Sequence, residues 1–384
     1  MLEPTELHLS GDRFTATYRL AFAREADARS LAARICVEQT VEFPADLIPD
    51  DDITRHIIGR IESLQPVSGA HVAVISYAVE CVGEALPQLL NVLFGNCSLL
   101  PGIRLIDFEL PASMLASWRG PRFGVSGIRR LTGADERPLT ATALKPMGQS
   151  IERLAAMASD FAASGIDLIK DDHGLASQPF CNFSDRVRAC AASVQRANEE
   201  HGMRARYFPS LNVRADELGT AARFARDVGA GGLMAFPGLH GFDAMRSIAD
   251  DDGLALPIIS HPSFLGSHLS AGDGGIDHGV LFGTLMRLAG ADVVVFPNHG
   301  GRFSFLPDAC RSIVDRLRAP LGALAQSIPA PAGGMKVERV REMVEFYGSD
   351  VALLIGGELH RGDRRDMARR MRSAVSDAGS RQLW

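Results

Sequence analysis

The sequence has little of what marks nucleic-acid-binding, zinc-binding or membrane proteins. Its formal net charge is −6 over 384 residues, whereas a nucleic-acid-binding domain is typically basic. None of the six Cys, at 36, 81, 97, 181, 190 and 310, forms a Cys-x-x-Cys pair, so a structural zinc site is not expected. No apolar run has the length of a membrane span. We therefore expect neither nucleic acid nor a membrane among its partners.

The N-terminal residues do not have the layout of a signal peptide. They read Met-Leu-Glu-Pro-Thr-Glu, without a basic segment followed by an apolar one. Because thiols persist in reducing compartments, the unpaired Cys and the missing export signal together predict a cytoplasmic protein.

Residues 1–125 are predicted to form a mixed α+β domain. Apolar and polar residues alternate in three segments, as in half-buried strands, and two segments between them have helical spacing. Gly and Arg are frequent in 119–125, which we predict to be a linker. The strands are Phe14–Phe22, Ala70–Tyr77 and Arg104–Leu110, and the helices are Glu25–Cys36 and Ala85–Phe94.

Residues 126–384 are predicted to form an α/β domain, a (β/α)8 TIM barrel. Short, nearly continuous apolar runs indicate strands buried on both faces, as in a parallel sheet, and helix-forming sequence separates them. Eight such units in about 245 residues match a barrel in number and size. An open, doubly wound sheet would alternate as well, but eight regular units favour closure. The runs are 139–145, 166–172, 206–213, 231–237, 257–262, 291–297, 326–334 and 351–357.

Polar residues and Gly pairs follow these predicted strands. Active sites of such barrels lie at the C-terminal strand ends, so we expect these residues to converge. Gly333-Gly334 and Gly356-Gly357 end the last two strands, where backbone N–H groups often hold a phosphate that Gly allows to approach closely. The other strand ends carry Lys145, Lys170, Asp172, His173, Asn212, His261, Asn298, His299 and Arg302.

The stretch 165–180 starts as an apolar run and then carries Lys170, Asp171, Asp172 and His173. Such groups are costly to bury unpaired. A structural interpretation pairs Lys170 with one of the two Asp at a strand end, and a functional one places the group in an active site. The polar residues at the other strand ends favour the functional interpretation.

Several motifs in this chain resemble the large subunit of RuBisCO. The strongest are Ala143–Gly148 (ALKPMG) and 165–180, where Gly-x-Asp-x-x-Lys-Asp-Asp is followed by Ser177-Gln178-Pro179-Phe180. The resemblance covers most of the chain. It extends to Glu38, Phe94-Gly95-Asn96, Ala332-Gly333-Gly334 and Gly356-Gly357.

The resemblance implies roles for these residues. Lys170 would carry a CO₂-derived carbamate and bind Mg²⁺ together with Asp172, and Lys145 would handle the proton during enolisation. His261 matches an active-site His, and Gly333, Gly334, Gly356 and Gly357 would bind phosphate. Glu38 and Asn96 would come from the partner subunit of a homodimer whose active site lies at the interface. No small subunit is expected.

The departures from the family pattern argue against carboxylation. His173 stands where the family has a Glu ligand of the metal, and imidazole favours a softer ion than Mg²⁺. Arg302 replaces the mobile-loop Lys, and Met147 replaces a second active-site Lys. One phosphate cradle loses its side chains: Arg, His and Ser of the family become Pro262, Val295 and Ala332, and a Thr-Trp pair becomes Phe43-Pro44. The pattern resembles the type IV, RuBisCO-like proteins, with a substrate that carries one phosphate.

The reactions of that group share an enolate next to a ketone. They need a metal or another cation at the oxyanion and a base near a carbon-bound proton; an unmodified Lys170 could itself be that cation. Because Arg binds a carboxylate as a fork, Arg302 favours a keto sugar acid, with decarboxylation or C–C cleavage of a 3-oxo-isoapionate 4-phosphate-like substrate by a lyase or hydrolase. The alternatives are an enolase or isomerase of methylthio-sugar phosphates, which would want an apolar pocket, and a non-catalytic sugar-phosphate-binding relative.

Overall fold

The computed structural model describes residues 6–48, 50–269, 273–303 and 305–380. These form two compact units. The first comprises residues up to Trp118 with Leu265–Leu281 and Leu321–Ala323, and the second comprises Arg119–Phe264, Phe282–Pro320 and the residues from Leu324 onward. The division into domains at residues 125 and 126 stays a prediction. No helix in the described ranges is long and apolar enough to cross a membrane.

The strands are numbered in chain order. They are β1 (Arg13–Leu20), β2 (Arg60–Val67), β3 (Ala70–Ala78), β4 (Ile103–Glu109), β5 (Leu139–Leu144), β6 (Leu168–Asp171), β7 (Arg206–Phe208), β8 (Leu233–Ala235), β9 (Ile258–Ser260), β10 (Gly275–Ile276), β11 (Val293–Pro297), β12 (Ile328–Ala332) and β13 (Ala352–Leu354).

The helices are numbered in the same way. They are α1 (Glu25–Glu38), α2 (Leu86–Phe94), α3 (Ala112–Leu115), α4 (Gly124–Thr132), α5 (Ile151–Ala163), α6 (Phe183–His201), α7 (Leu218–Asp227), α8 (Pro237–His240), α9 (Phe242–Asp250), α10 (Gly266–Leu269), α11 (Leu285–Leu288), α12 (Pro307–Arg318), α13 (Val340–Tyr347) and α14 (Arg364–Ser380).

The first unit is a five-stranded sheet in the order β10-β4-β1-β3-β2. Side chains of β1 alternate between buried and half-exposed, so one face of the sheet packs on the core. Helix α1 packs against β2 and β3, and its buried residues include Leu31 and Ile35. The expected elements are present, but two strands were missed. β2 is a largely exposed edge strand with Pro66, and β10 has only two residues, which pair in parallel with β4.

The second unit is the predicted α/β barrel of eight parallel strands. Strands β13-β5-β6-β7 form one hydrogen-bonded sheet and β12-β11-β9-β8 another. A parallel bridge between Ser210 and Met234 joins β7 to β8, and β12 packs beside β13. The interior is filled by alternate residues of the strands, among them Leu168, Phe208 and Val295.

Local sequence signals set the ends of the long barrel helices. The Ser150 hydroxyl accepts the backbone N–H of Arg153 at the start of α5, and the Asn182 amide oxygen accepts that of Asp185 at the start of α6. Each such cap stabilises a helix by about 1 kcal/mol. Helix α6 ends where Gly202 adopts a left-handed conformation with φ of 65°, which Gly adopts without steric cost.

Helix α4 closes the N-terminal end of the barrel. Asp292, just before β11, accepts the backbone N–H groups of Phe123 and Gly124 at 2.7 and 2.8 Å and that of Ile258 at 2.9 Å. The carboxylate therefore ties the start of α4 to β9 and β11. Ile128 of α4 then packs into the barrel core. Because α4 fills the N-terminal end of the barrel, we expect a site at the C-terminal strand ends.

Candidate functional site

Strand β6 sends successive side chains to opposite sides of the barrel wall. Leu168 belongs to the interior core, so Lys170 faces the same way and Asp171 faces outward. All four residues of β6 are buried. The Lys170 ammonium donates to the backbone carbonyl of Asp171 at 2.9 Å, and not to the carboxylate of that residue.

Asp171 is bound on its outward side by buried groups of the fold. Its carboxylate accepts Nε of Arg186 on α6 at 3.1 Å, the hydroxyl of Tyr207 at 2.8 Å and the backbone N–H of Ser210 at 3.0 Å. The side chains of Asp171 and Arg186 are both 0% exposed. The structural interpretation of a Lys170–Asp171 ion pair is therefore wrong, because Arg186 is the partner of Asp171.

Lys170 is an amine held at the inner end of the site. Burial lowers its pKa to about 8, although the neighbouring Asp172 acts in the opposite direction. Near neutral pH the ammonium can thus lose its proton far more readily than an exposed Lys. Such a group can serve as a cation, or as the neutral amine that reaction with CO₂ requires.

Asp172 connects three of the predicted site residues. Its Oδ1 lies 3.0 Å from Nζ of Lys145 and 3.4 Å from Nδ1 of His173. Burial alone would raise the pKa of this carboxyl, but the hydrogen bonds with His173 and Lys145 hold the pKa well below its usual range. Asp172 is therefore an anion that positions the Lys145 ammonium at the end of β5.

His261 completes the cluster from the end of β9. Its imidazole stacks on that of His173, with ring centroids 5.1 Å apart and planes 9° from parallel. Its Nδ1 lies 2.9 Å from the Ser263 hydroxyl. Burial, reinforced by the nearby Lys170 charge, lowers the pKa of His261 well below the ordinary value. His261 is accordingly a neutral imidazole that can donate or accept a hydrogen bond.

Gly356 and Met147 lie beside the same charged groups. A Cβ atom on Gly356 would be 3.7 Å from Nζ of Lys145, so the backbone after β13 adjoins the Lys145 ammonium. Met147 is 48% exposed, and its terminal methyl lies over Gly174, where a Cβ would come within 2.7 Å of it. The strand ends of β5, β6, β9 and β13 therefore converge as expected.

The loops after β11 and β12 contact each other. The backbone N–H of Arg302 donates to the Gly333 carbonyl at 3.0 Å, and Gly333 and Gly334 have φ of 89° and 97°. The Arg302 guanidinium stacks on the Phe303 ring at 4.9 Å and is exposed. In the first unit, Asn96 donates its amide to Glu38 at 3.0 Å.

Asn298 does not join the mouth of the barrel, contrary to expectation. Its amide nitrogen lies 3.1 Å from the sulfurs of Met335 and Met343, and the Tyr347 hydroxyl donates to its oxygen. It therefore packs against α13, outside the barrel wall. The neighbouring His299 ring lies against Phe346, with centroids 4.5 Å apart.

His360 is a site neighbour that sequence reasoning missed. It follows Gly357 by three residues in a short helical turn, and its Nε2 lies 3.4 Å from the carbonyl of Ala143 on β5. Burial lowers its pKa, and the nearby Lys145 charge adds to the effect. The sequence signal that could have identified His360 was its position three residues after Gly357.

The unmodified side chains do not fit a magnesium ion. The described part of the chain has no group of three or more His, Cys, Asp or Glu side chains that could hold a metal. Of the expected ligands, only Asp172 and His173 adjoin, and Mg²⁺ prefers several oxygen ligands. A third ligand would require a carbamate on Lys170. Mg²⁺ binding, or that of a softer metal, stays a prediction.

Residues 124–365 match the family of the ribulose bisphosphate carboxylase large chain, catalytic domain. The chain belongs to the RuBisCO large-chain family. It is 38% identical over 350 residues to ribulose bisphosphate carboxylase-like protein 1 of Rhodopseudomonas palustris, covering 91% of this chain and 93% of that protein. These matches confirm the assignment to the RuBisCO-like group.

Two further comparisons bear on this RuBisCO-like chain. It is 40% identical over 354 residues to the 5-methylthioribulose-1-phosphate isomerase of Rhodospirillum rubrum, covering 91% of each chain. The crystal structure of a Rubisco-like protein from Rhodopseudomonas palustris superimposes with a TM-score of 0.87 at 38% identity, over 95% of this chain and 98% of that one. The relative with a named activity is thus an isomerase, not a lyase or hydrolase of the kind that Arg302 suggests.

Proposed function

We propose that this RuBisCO-like protein is an isomerase of a phosphorylated keto sugar with a methylthio group. The observation that carries the proposal is the Lys145 ammonium, fixed by Asp172 at 3.0 Å next to the backbone of Gly356. An ion-paired Lys beside a Gly-Gly phosphate cradle suits proton transfer next to a carbonyl. The similarity to an enzyme named 5-methylthioribulose-1-phosphate isomerase supports the choice of substrate.

The reaction moves hydrogen between neighbouring carbons without oxidation. A base takes the proton from the carbon beside the ketone, the electron pair forms the enediolate, and the proton returns to another carbon. Lys145 takes this proton as the neutral amine and, as the ammonium that results, returns it. Lys170, whose pKa of about 8 allows both protonation states, stabilises the enediolate oxygen as a cation. Mg²⁺ would need a carbamate on Lys170 beside Asp172, and it would then supply Lewis-acid stabilisation in place of the Lys170 cation.

The side chains around Lys145, Asp172 and Lys170 agree better with a thioether group on the substrate than with a carboxylate group. A keto sugar acid would need a forked guanidinium, whereas the Arg302 guanidinium is exposed and stacked on Phe303. The side chain beside the charged groups is instead that of Met147, which is apolar. The decarboxylase hypothesis therefore has less support than its alternative.

The test follows the fate of carbon-bound hydrogen. Purified protein is incubated in D₂O with 5-methylthioribulose 1-phosphate, with Mg²⁺ and separately with EDTA, and the products are followed by NMR. We expect an isomeric keto sugar phosphate, deuterium next to the carbonyl and no loss of carbon. Release of CO₂ from 3-oxo-isoapionate 4-phosphate, without isomerisation of the methylthio sugar, would replace this proposal with the decarboxylase hypothesis.

We further infer a homodimer in which the Glu38–Asn96 pair of one chain serves the barrel of the other. The support is the resemblance to the family, together with the hydrogen bond that holds the two side chains together. Light scattering gives the mass in solution. Mixing an inactive Lys145→Ala chain with an inactive Asn96→Ala chain should restore about a quarter of the activity if half of the mixed dimers' sites are intact.

A further inference from the structure

Exposed apolar side chains of the second unit are concentrated in the loops after the C-terminal strand ends. Large exposed apolar groups that cluster are typical of binding surfaces. Of the seven among the described residues of this unit, only Met203 lies elsewhere. The others are Met147, Phe180, Leu239, Phe264, Phe303 and Leu306.

Met147 differs from the others because it lies among the groups of the proposed chemistry. It follows Lys145 by two residues, and its methyl end lies over Gly174, which follows Asp172 by two residues. The point where a Cβ of Gly174 would stand is 2.7 Å from the Met147 methyl and 4.0 Å from Oδ2 of Asp172. The Met147 side chain thus packs over the Gly174 backbone, beside the Asp172 carboxylate.

We propose that Met147 is a specificity-determining residue that seats the thioether end of the substrate; this rests on the proposed function. A Met side chain is unbranched and polarizable, so it adapts to an apolar partner and attracts sulfur and methyl groups by dispersion. About half of it remains exposed and available to a ligand. A sugar phosphate with a hydroxyl in place of the methylthio group would have to give up water against this surface without a hydrogen bond in return.

A substitution at Gly174 is a second way to perturb the contact between Met147 and the substrate. Its φ is not in the left-handed region, so Ala adds a methyl without backbone strain. That methyl would meet the end of the flexible Met147 side chain at 2.7 Å; beyond the chain neighbours His173 and Leu175, the next atom is Asp172 Oδ2 at 4.0 Å. Gly174→Ala should therefore displace the end of the Met147 side chain while leaving the charged groups in place.

The experiment compares two substrates, 5-methylthioribulose 1-phosphate and ribulose 1-phosphate, which has a hydroxyl at the same carbon. An apolar contact discriminates by roughly 10- to 200-fold, and we expect the wild type to prefer the thioether within that range of kcat/KM. Met147→Leu keeps an apolar surface and should keep the preference. Met147→Gln has a similar length but is polar, and should reduce the preference about tenfold, through KM of the thioether substrate. Gly174→Ala should reduce it in the same direction.

The outcomes separate the two proposals. If wild-type protein isomerises neither substrate, the proposed function fails and the role of Met147 fails with it. If the wild type is active and Met147→Gln keeps the preference, or loses activity equally on both substrates, only the specificity role is refuted. Thermal unfolding of each variant shows whether an effect on both substrates arises from loss of structure.

Discussion

Asp171, the last residue of β6, and Asp172, which follows it, should respond differently to the same substitution, one in stability and the other in activity. Asp171→Asn replaces a fully buried anion whose partner Arg186 is also fully buried. Removing one member of a buried ion pair costs about 3–5 kcal/mol, because the other charge is left without a counterion. Arg186 keeps its bond from Nη1 to the Ala176 carbonyl. We therefore expect the lower end, about 3 kcal/mol.

Asp172→Asn is the matched control. The Asp172 side chain is 17% exposed, and its partner Lys145 is 30% exposed, so water screens their interaction. We expect its loss to lower the free energy of unfolding by less than Asp171→Asn does, while activity is lost because Lys145 is no longer held in place. Tyr207→Phe, which removes one of the three donors to Asp171, should cost about 1.5–3 kcal/mol.

Thermal unfolding followed by circular dichroism measures these differences. For a unit of this size, about 3 kcal/mol corresponds to a lowering of Tm by roughly 6–12 °C. The reasoning would be refuted if Asp171→Asn melted within 2 °C of wild type, or if Asp172→Asn were destabilised as much as Asp171→Asn. Either result would mean that Asp171 does not have a structural role separate from the catalytic role of Asp172.

Three further predictions concern the site. Lys145→Ala should lower kcat by roughly 10²- to 10⁴-fold, the usual contribution of a general acid or base, and deuterium exchange should fall in parallel while substrate still binds. Burial lowers the Lys170 pKa from 10.5 to about 8. Between these pH values the unfolded chain therefore binds more protons than the folded protein. In CO₂-free buffer, the free energy of unfolding of wild type relative to that of Lys170→Met should rise by up to about 3 kcal/mol from pH 8 to pH 10.5. A constant difference would contradict the buried charge. A Cβ on Gly357 meets no atom within 4 Å, so Gly357→Val should leave Tm unchanged but raise KM about tenfold by blocking phosphate approach; an unchanged KM would place the phosphate elsewhere.

The barrel and most of its site could be predicted because they follow from periodicity. Parallel strands end at one edge, so Lys145, Asp172 and His261 had to lie near one another once the strands were found. The side of the barrel wall to which each side chain points could also be predicted from alternation along the strand. Val293 and Val295 point into the core, so alternation places Asn298 outside, where Tyr347 binds it.

Other features depend on contacts that no local pattern contains. The partner of Asp171 is 15 residues away on α6. The sequence of β6 alone does not indicate whether the residue packed against it is apolar or charged. Strand β2 was missed because its exposed, polar residues form no alternating core face. The position of Met147 over Gly174 depends on two loops meeting, and only the structure gives their distance.

Strand β10 makes the first unit discontinuous along the chain. After Phe264 the backbone leaves the second unit, adds Gly275 and Ile276 to the edge of the first unit's sheet beside β4, and returns at Phe282. A fragment cut at Trp118 would therefore expose the β4 edge at Arg104 and Leu105, and open strand edges promote association. During synthesis, the first unit cannot complete its sheet until well over half of the chain has emerged from the ribosome.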